Sequence, residues 1–417
     1  MNLSRTAIVL ALIAGPALAA EPDDMTLPQG FHATVVADGL GAVRHLAVRE
    51  NGDIYLSTGR GIARDGGDGI IGLHIGSDHR ADRIEHFGVV DGGTGIAMWH
   101  GALYAASPSR VYRFAFHGDA LLPDPEPRVI VDNIAKSKQY NHAIAIDKKG
   151  DLFVTDDGTD NICTGSDSST EVRPAGLKPC PDLGIRAGIW RFAAGKPGQS
   201  FVDGAQVATG IRDMTALTVA SDGTLYAFMH GRDSTAKQFP DLIKASDDDQ
   251  IADEMAVVAK GTDFGWPYSY YDGVRKIQLV SPEYGGDGKQ QAIGNIVAPI
   301  LTFQSKRAAP VDMVAYEGKN FPTQYRGGFF IALHGNGGQK IDGGKTGHNI
   351  VFVPRGTDGK IGAPVVFADG FAGPPKVDSK GRPVIRYRPV GLAVGPDGAL
   401  YVADSVQGRL WRIAYGD

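Results

Sequence analysis

The chain has 417 residues, 42% of them hydrophobic, and a formal net charge of -5. That mild acidity argues against a nucleic-acid partner, which needs a basic face. Gly (57) and Pro (24) are plentiful and evenly spread, and no Ser/Gly/Pro linker or charge block divides the chain, so its length alone does not split it into domains.

Reading from the N-terminus, Arg5 precedes an apolar run from Ala7 to Ala14, and Ala17-Leu18-Ala19 is a small-residue cleavage pattern. This predicts a cleaved secretory signal over 1–19, with the cut after Ala19 or Ala20. The run is too short to span a bilayer, and no later segment is a membrane-span candidate. The expected location is the periplasm, and removing the single Arg of the leader moves the net charge to -6.

Over 20–417 one phrase recurs: a turn ending in Gly, then a short apolar-aromatic strand. It appears as Asn51-Gly-Asp-Ile-Tyr, His100-Gly-Ala-Leu-Tyr, Lys149-Gly-Asp-Leu-Phe, Ser221-Asp-Gly-Thr-Leu-Tyr and Pro396-Asp-Gly-Ala-Leu-Tyr, with a weaker copy at Arg326-Gly-Gly-Phe-Phe. Ile54, Leu103 and Leu152 are 49 positions apart, and later spacings widen. A period of roughly 40–50 residues built from short strands is a propeller signature. Six copies predict an all-β, six-bladed β-propeller as a single domain, with loop insertions in the later blades. Tyr112-Arg-Phe, Trp190-Arg-Phe and Trp411-Arg-Ile read as partner strands. A β-sandwich of repeated hairpins is the plainer alternative, but it does not explain the regular period.

Cys163 and Cys180 are the two cysteines. In an oxidising compartment an even pair forms a disulfide; a thiolate metal site would lack two ligands. Without a Cys-x-x-Cys-His motif there is no attached c-type haem.

Several residues could carry chemistry. His142 lies just before the third repeat phrase and has the near-neutral pKa of a general base. Arg386 and Arg388 flank Tyr387 ahead of the last blade, and strand alternation would put both on one side, where two guanidinium groups suit a polycarboxylate or phosphate ligand. Arg212 and Asp213 lead into the fourth repeat. The turn at Gly231-Arg232 after His230 could offer backbone oxygens to a hard cation, with Asp253, Glu254 and Asp263 as nearby carboxylates. The acidic run Asp247-Asp248-Asp249 reads as a solvated loop, and Gly265-Trp266-Pro267-Tyr268 as packing. His334 opens a polar loop through Lys340. There is no Gly-x-Gly-x-x-Gly in a βαβ setting, no P-loop and no Gly-x-Ser-x-Gly elbow.

Taken together, the chain resembles the soluble quinoprotein sugar dehydrogenases, the sorbosone and glucose dehydrogenase group that uses pyrroloquinoline quinone (PQQ). The resemblance rests on Leu27-Pro-Gln-Gly-Phe31, Arg44-His-Leu-Ala47, Gly210-Ile-Arg212, Arg232-Asp233, Asp253-Glu254, Gly265-Trp-Pro267, Phe321-Pro322, Tyr325-Arg326, Ala332-Leu-His-Gly335, Arg386-Tyr-Arg388 and Pro396-Asp-Gly398. It implies a six-bladed propeller that oxidises an aldose or sugar aldehyde. His142 would be the base, and hydride would pass to the quinone. The resemblance further implies that Arg212, Arg386, Arg388 and Asp253 contact the cofactor together with Lys340 or Lys345, and that backbone oxygens at Gly231 and Arg232 ligate Ca²⁺; because the chain carries no attached haem, a separate electron acceptor is expected. The chain departs from the family pattern at Asp213, Arg307 and Asn336–Gln339, in loops that would shape the substrate and cofactor sites. A Ca²⁺-dependent lactone hydrolase on a similar propeller and a non-catalytic binding propeller are the competing readings.

Overall fold

The computed structural model describes residues 25–58, 69–88, 94–135, 142–165, 171–304, 308–335 and 347–416. The signal segment 1–19, Arg307 and the loop residues Asn336–Gln339 and Lys340 lie outside them.

Each repeat phrase forms a hairpin because its glycine takes a positive φ, for example 94° at Gly52 and 85° at Gly223. An added Cβ there would meet open space, so backbone conformation rather than crowding is what requires glycine. The strand that follows is the second of each sheet: Ile54–Thr58, Ala102–Ala106, Asp151–Asp156, Leu225–Met229, Phe329–Leu333 and Leu400–Asp404. All six are flanked by antiparallel neighbours. The partner-strand motifs fall on third strands, Val111–Phe114, Gly188–Ala193 and Leu410–Tyr415.

The six sheets are the blades of a β-propeller. Their first strands are Val43–Val48, Ile96–Trp99, Ile144–Ile146, Ala216–Val219, Pro310–Ala315 and Pro389–Val394, called blades 1 to 6 below. These inner strands touch in a closed ring, blade 1 against blade 6 included. They line an axial cavity of about 280 Å³. Blade 6 takes its outer strand from the other end of the chain: Phe31–Ala37 pairs with Leu410–Tyr415, Phe31 facing Tyr415. Among the described residues the only α-helix is Thr235–Gln238, and no helix is long and apolar enough to cross a membrane.

The core lies between blades rather than at one centre. Leu46, Ile54 and Leu56 of blade 1 pack on Val390, Tyr401 and Leu410 of blade 6. Tyr104 and Ile130 of blade 2 meet Leu152 and Trp190 of blade 3, and Phe330 and Phe352 of blade 5 meet Leu392 and Trp411 of blade 6. Alternation along each strand feeds both interfaces, so all five residues of a second strand such as Leu225–Met229 are buried. The widened later repeats hold insertions at one end of the ring, including the hairpin Ser269–Asp272/Ile277–Val280.

Candidate active site

The loops that deliver the inner strands converge at one end of the axis. Blades 1 and 6 approach closely there, because a Cβ on Gly391 would lie 2.3 Å from the Arg44 carbonyl oxygen. Arg44 and Arg388 therefore enter the mouth from adjacent blades.

Arg388 is half-buried and donates from Nε to the His334 carbonyl (3.0 Å) and from Nη2 to the Gly335 carbonyl. Burial, then the charge of Arg44, lower its pKa to about 10. Arg44 is lowered by burial too, and it has no hydrogen bond or ion pair among the described residues. Two cations thus share a confined mouth, and neither has a carboxylate ion-pair partner among the described residues. The Asp404 carboxylate beside Arg388 is occupied by main-chain amides, those of Arg388, Val406, Gln407 and Gly408.

His334 completes this side. Its Nε2 lies 2.8 Å from Ser405 Oγ, and with Nε2 donating, Nδ1 carries the lone pair. Burial and the charges of Arg388 and Arg44 hold its pKa well below the usual histidine value, so the ring is neutral. His348 is buried beneath Gly335, neither ring nitrogen has a partner among the described residues, and burial pushes its pKa down to about 4.

Around blades 3 and 4 the surroundings are acidic. His142 is fully buried, with Nδ1 2.8 Å from the Thr155 carbonyl, Nε2 3.4 Å from the Pro108 carbonyl and Nδ1 3.9 Å from Asp156 Oδ1. Burial lowers its pKa. Neither carboxylate oxygen of Asp156 has a hydrogen-bond partner among the described residues, and burial raises its pKa to about 8. Asp157 accepts from the Met214 amide, and burial, then the Asp213 charge, raise it well above the carboxylate range. His230 donates to the Pro310 carbonyl (2.7 Å). Burial opposes its protonation, but the Asp213 and Asp253 carboxylates raise its pKa overall.

Arg212 is fully engaged. It donates to Asn161 Oδ1 (2.8 Å), the Gly231 carbonyl (2.8 Å) and the Asp233 carboxylate. Asn161 also accepts the Asp233 amide, and its own carbonyl accepts from Trp266 Nε1. Asp253 supports the same turn by accepting the Gly231 amide (3.0 Å), and burial raises its pKa to about 6. The Arg232 side chain turns away to a buried ion pair with Glu283, its Nη1 reaching both carboxylate oxygens at 2.9 Å.

Arg388 thus lies at the mouth, and Arg386 lies in the segment that leads to it, with an exposed side chain. Residues 386–388 are not a strand: the Arg386 amide bonds the Ala372 carbonyl, and its exposed guanidinium lies 5.1 Å from the Tyr387 ring. At the expected calcium position the Gly231 carbonyl accepts from Arg212, so one of its two lone pairs is taken. Arg44 and His334 were quoted as motif residues without a role. The available signal for Arg44 was its place at the start of an inner strand, matching that of Arg388. Cys163 and Cys180 form the expected disulfide, Cα atoms 6.1 Å apart, which braces the loop carrying Asn161.

A model of the TrAA12-like family matches residues 25–415. The chain belongs to the TrAA12-like family. The holo form of the pyranose dehydrogenase PQQ domain from Coprinopsis cinerea is similar to this TrAA12-like chain, with a TM-score of 0.73 at 17% identity, covering 96% of this chain and 99% of that one. A calcium structure of Carbohydrate-Active Enzymes Family AA12 from Trichoderma reesei gives the same score, identity and coverage. PQQ-bound aldose sugar dehydrogenase from Streptomyces coelicolor is more distant, at TM-score 0.55 and 16% identity over 93% and 99% of the two chains. No curated protein sequence matches. Family and fold agree with the resemblance drawn from the motifs.

Proposed function

We propose that this chain is a PQQ-dependent dehydrogenase that oxidises an aldose or related sugar aldehyde. The observation that carries the reading is the pair Arg44 and Arg388, two confined cations without a carboxylate ion-pair partner among the described residues. A cofactor rich in carboxylates supplies the missing charge, because guanidinium groups bind carboxylates bidentately. His348, with two unpartnered ring nitrogens behind Gly335, adds a polar wall. When bound, the quinone supplies the electrophilic carbon that takes hydride from the sugar.

The chain's own part is to hold the quinone, orient the sugar and take one proton. We assign the base to His334 rather than His142. His334 is at the mouth, and Ser405 fixes Nε2 so that Nδ1 accepts the anomeric hydroxyl proton. Its pKa is depressed by burial and then by the two arginines, and a carboxylate-rich ligand would offset the arginines' field and raise its basicity. His142, with both nitrogens against carbonyls and no exposed surface, is read as a buttress between blades. The export leader and the disulfide fit a periplasmic enzyme, and electrons would leave to a separate acceptor.

One observation favours the lactone-hydrolase reading: oxygens without a partner among the described residues on buried Asp156, Asp157 and Asp253 and half-buried Asp213. Against it, among the described residues the only three His/Cys/Asp/Glu ligand atoms within 4.8 Å of one another belong to Cys163, Cys180 and Asp182, and the cysteines are disulfide-bonded.

The test is reconstitution of the apo-protein with quinone, with and without Ca²⁺, followed by dye reduction with a sugar panel. His334→Ala should lose at least about 100-fold in kcat while still binding quinone. His142→Ala should mainly lower Tm. Turnover that survives in His334→Ala and vanishes in a folded His142→Ala would return the base to His142, and no quinone binding by the wild type would end the proposal.

A further inference from the structure

Between blade 5 and the inner strand of blade 6 the chain makes a narrow finger, residues 371–387. Its stem is closed by the Tyr387 amide on the Phe371 carbonyl (2.9 Å) and the Arg386 amide on the Ala372 carbonyl (3.0 Å). Further out, Val384 bonds Lys376 (2.9 Å) and Asp378 bonds Arg382 (2.8 Å). The root is rigid: Tyr387 and Phe371 pack edge-on against Trp411 at 5.1 and 5.3 Å. The tip is solvent-exposed.

The finger's charge runs against that of the molecule. It carries Lys376, Lys380, Arg382 and Arg386 against one acid, Asp378, in a chain of net charge -5. Asp378 is also spent on the turn, accepting from the amides of Lys380 and Arg382 and from Arg382 Nε. Lys376 and Lys380 are exposed, and Val377 and Val384 add apolar surface, 61% and 38% exposed. The stem runs directly into Arg388 at the mouth.

We propose that this finger is the docking surface for a small acidic one-electron carrier protein. The inference rests on the dehydrogenase reading. Oxidation of an aldose at C1 breaks the C1–H and O–H bonds and forms C1=O, releasing two electrons and two protons. The described cysteines are joined in a disulfide and this sequence has no c-type haem-attachment motif; a one-electron carrier that reoxidises the site visits twice per turnover. Repeated brief visits favour fast association, and opposite charge raises association rates from about 10⁵–10⁶ to as much as 10⁸–10⁹ M⁻¹s⁻¹. A few cations around exposed valines match a transient interface with an apolar centre and polar rim. An anionic membrane fits less well, since the rest of an acidic chain would be repelled by it.

The experiment uses quinone-loaded enzyme, its Lys376→Glu/Lys380→Glu variant, and three acceptors: a small acidic c-type cytochrome, a basic c-type cytochrome and a phenazine dye. With the acidic cytochrome, wild-type rates should fall about 10-fold between roughly 20 and 300 mM salt, and the variant should be about 10-fold slower at low salt. The dye rate should be unchanged by either, and the basic cytochrome should not share the pattern. A variant that reduces the acidic cytochrome at the wild-type rate, with dye turnover intact, overturns the proposal, as does salt-sensitive binding to anionic vesicles without any cytochrome preference. Loss of dye turnover in the wild type would instead strike the dehydrogenase reading. Salt-dependent binding of oxidised acidic cytochrome to the wild type, lost in the variant, then still decides the docking surface.

Discussion

Replacing Arg44 with Met tests the cationic mouth most directly, because stability and function should respond in opposite senses. Met keeps the apolar stem but removes the charge. In the folded protein that charge is penalised by burial, repelled by Arg388 and has no partner among the described residues. Its loss should leave Tm unchanged or raise it, by roughly 1–3 °C for a gain under about 1 kcal/mol. Quinone binding should weaken, since a charge-assisted hydrogen bond contributes about 1.5–3 kcal/mol, or roughly 10- to 150-fold in Kd. Calorimetry of the apo-protein and fluorescence titration with quinone measure the two sides. A quinone Kd within about two-fold of wild type, or a Tm loss beyond about 5 °C, would show that Arg44 is a structural residue and that the mouth does not select anions through it.

The buried carboxylates make stability depend on pH. Asp156 has its pKa raised from 3.8 to about 8, so the unfolded chain loses this proton at lower pH than the native protein does. Stability from the protonated native form is fully present below about pH 4 and is lost as pH rises towards 8, at up to about 1.4 kcal/mol per pH unit for one proton. Asp156→Asn should remove one proton's worth of that slope in denaturant titrations, and an unchanged slope would count against burial of an ionisable Asp156. Breaking the Arg232–Glu283 pair by Arg232→Met alone should cost about 3–5 kcal/mol, because an uncompensated buried carboxylate remains. The double variant with Glu283→Gln should recover most of it, and equal losses in the single and double variants would refute the coupling.

The architecture was legible because one physical requirement repeats: a hairpin needs positive φ at its turn, and each copied glycine marks the second strand of a blade. Register also placed His142, Arg212 and Arg388 correctly at the starts of inner strands. Strand alternation does not describe residues 386–387, which form the stem of a finger paired with Phe371 and Ala372 ahead of the strand Pro389–Val394. Partner identity was not legible. Nothing in Gly210-Ile-Arg212 announces Asn161 and Asp233, which come from separate insertions and occupy Arg212 by meeting over it. For the same reason, chemical type marked His142 as a base, while our proposal of His334 rests on the surroundings of each ring, which no motif displays.

The pairing of Phe31–Ala37 with Leu410–Tyr415 has a kinetic side. It joins residues nearly the whole chain apart, and such distant contacts carry a high loop-closure cost and form slowly. Arg44 and Arg388 belong to the two blades that this late seam brings side by side. On the proposed reading, the anion-binding mouth would therefore be complete only once the ring has closed. Cofactor capture would then belong to the finished circle and separate completed molecules from those still open.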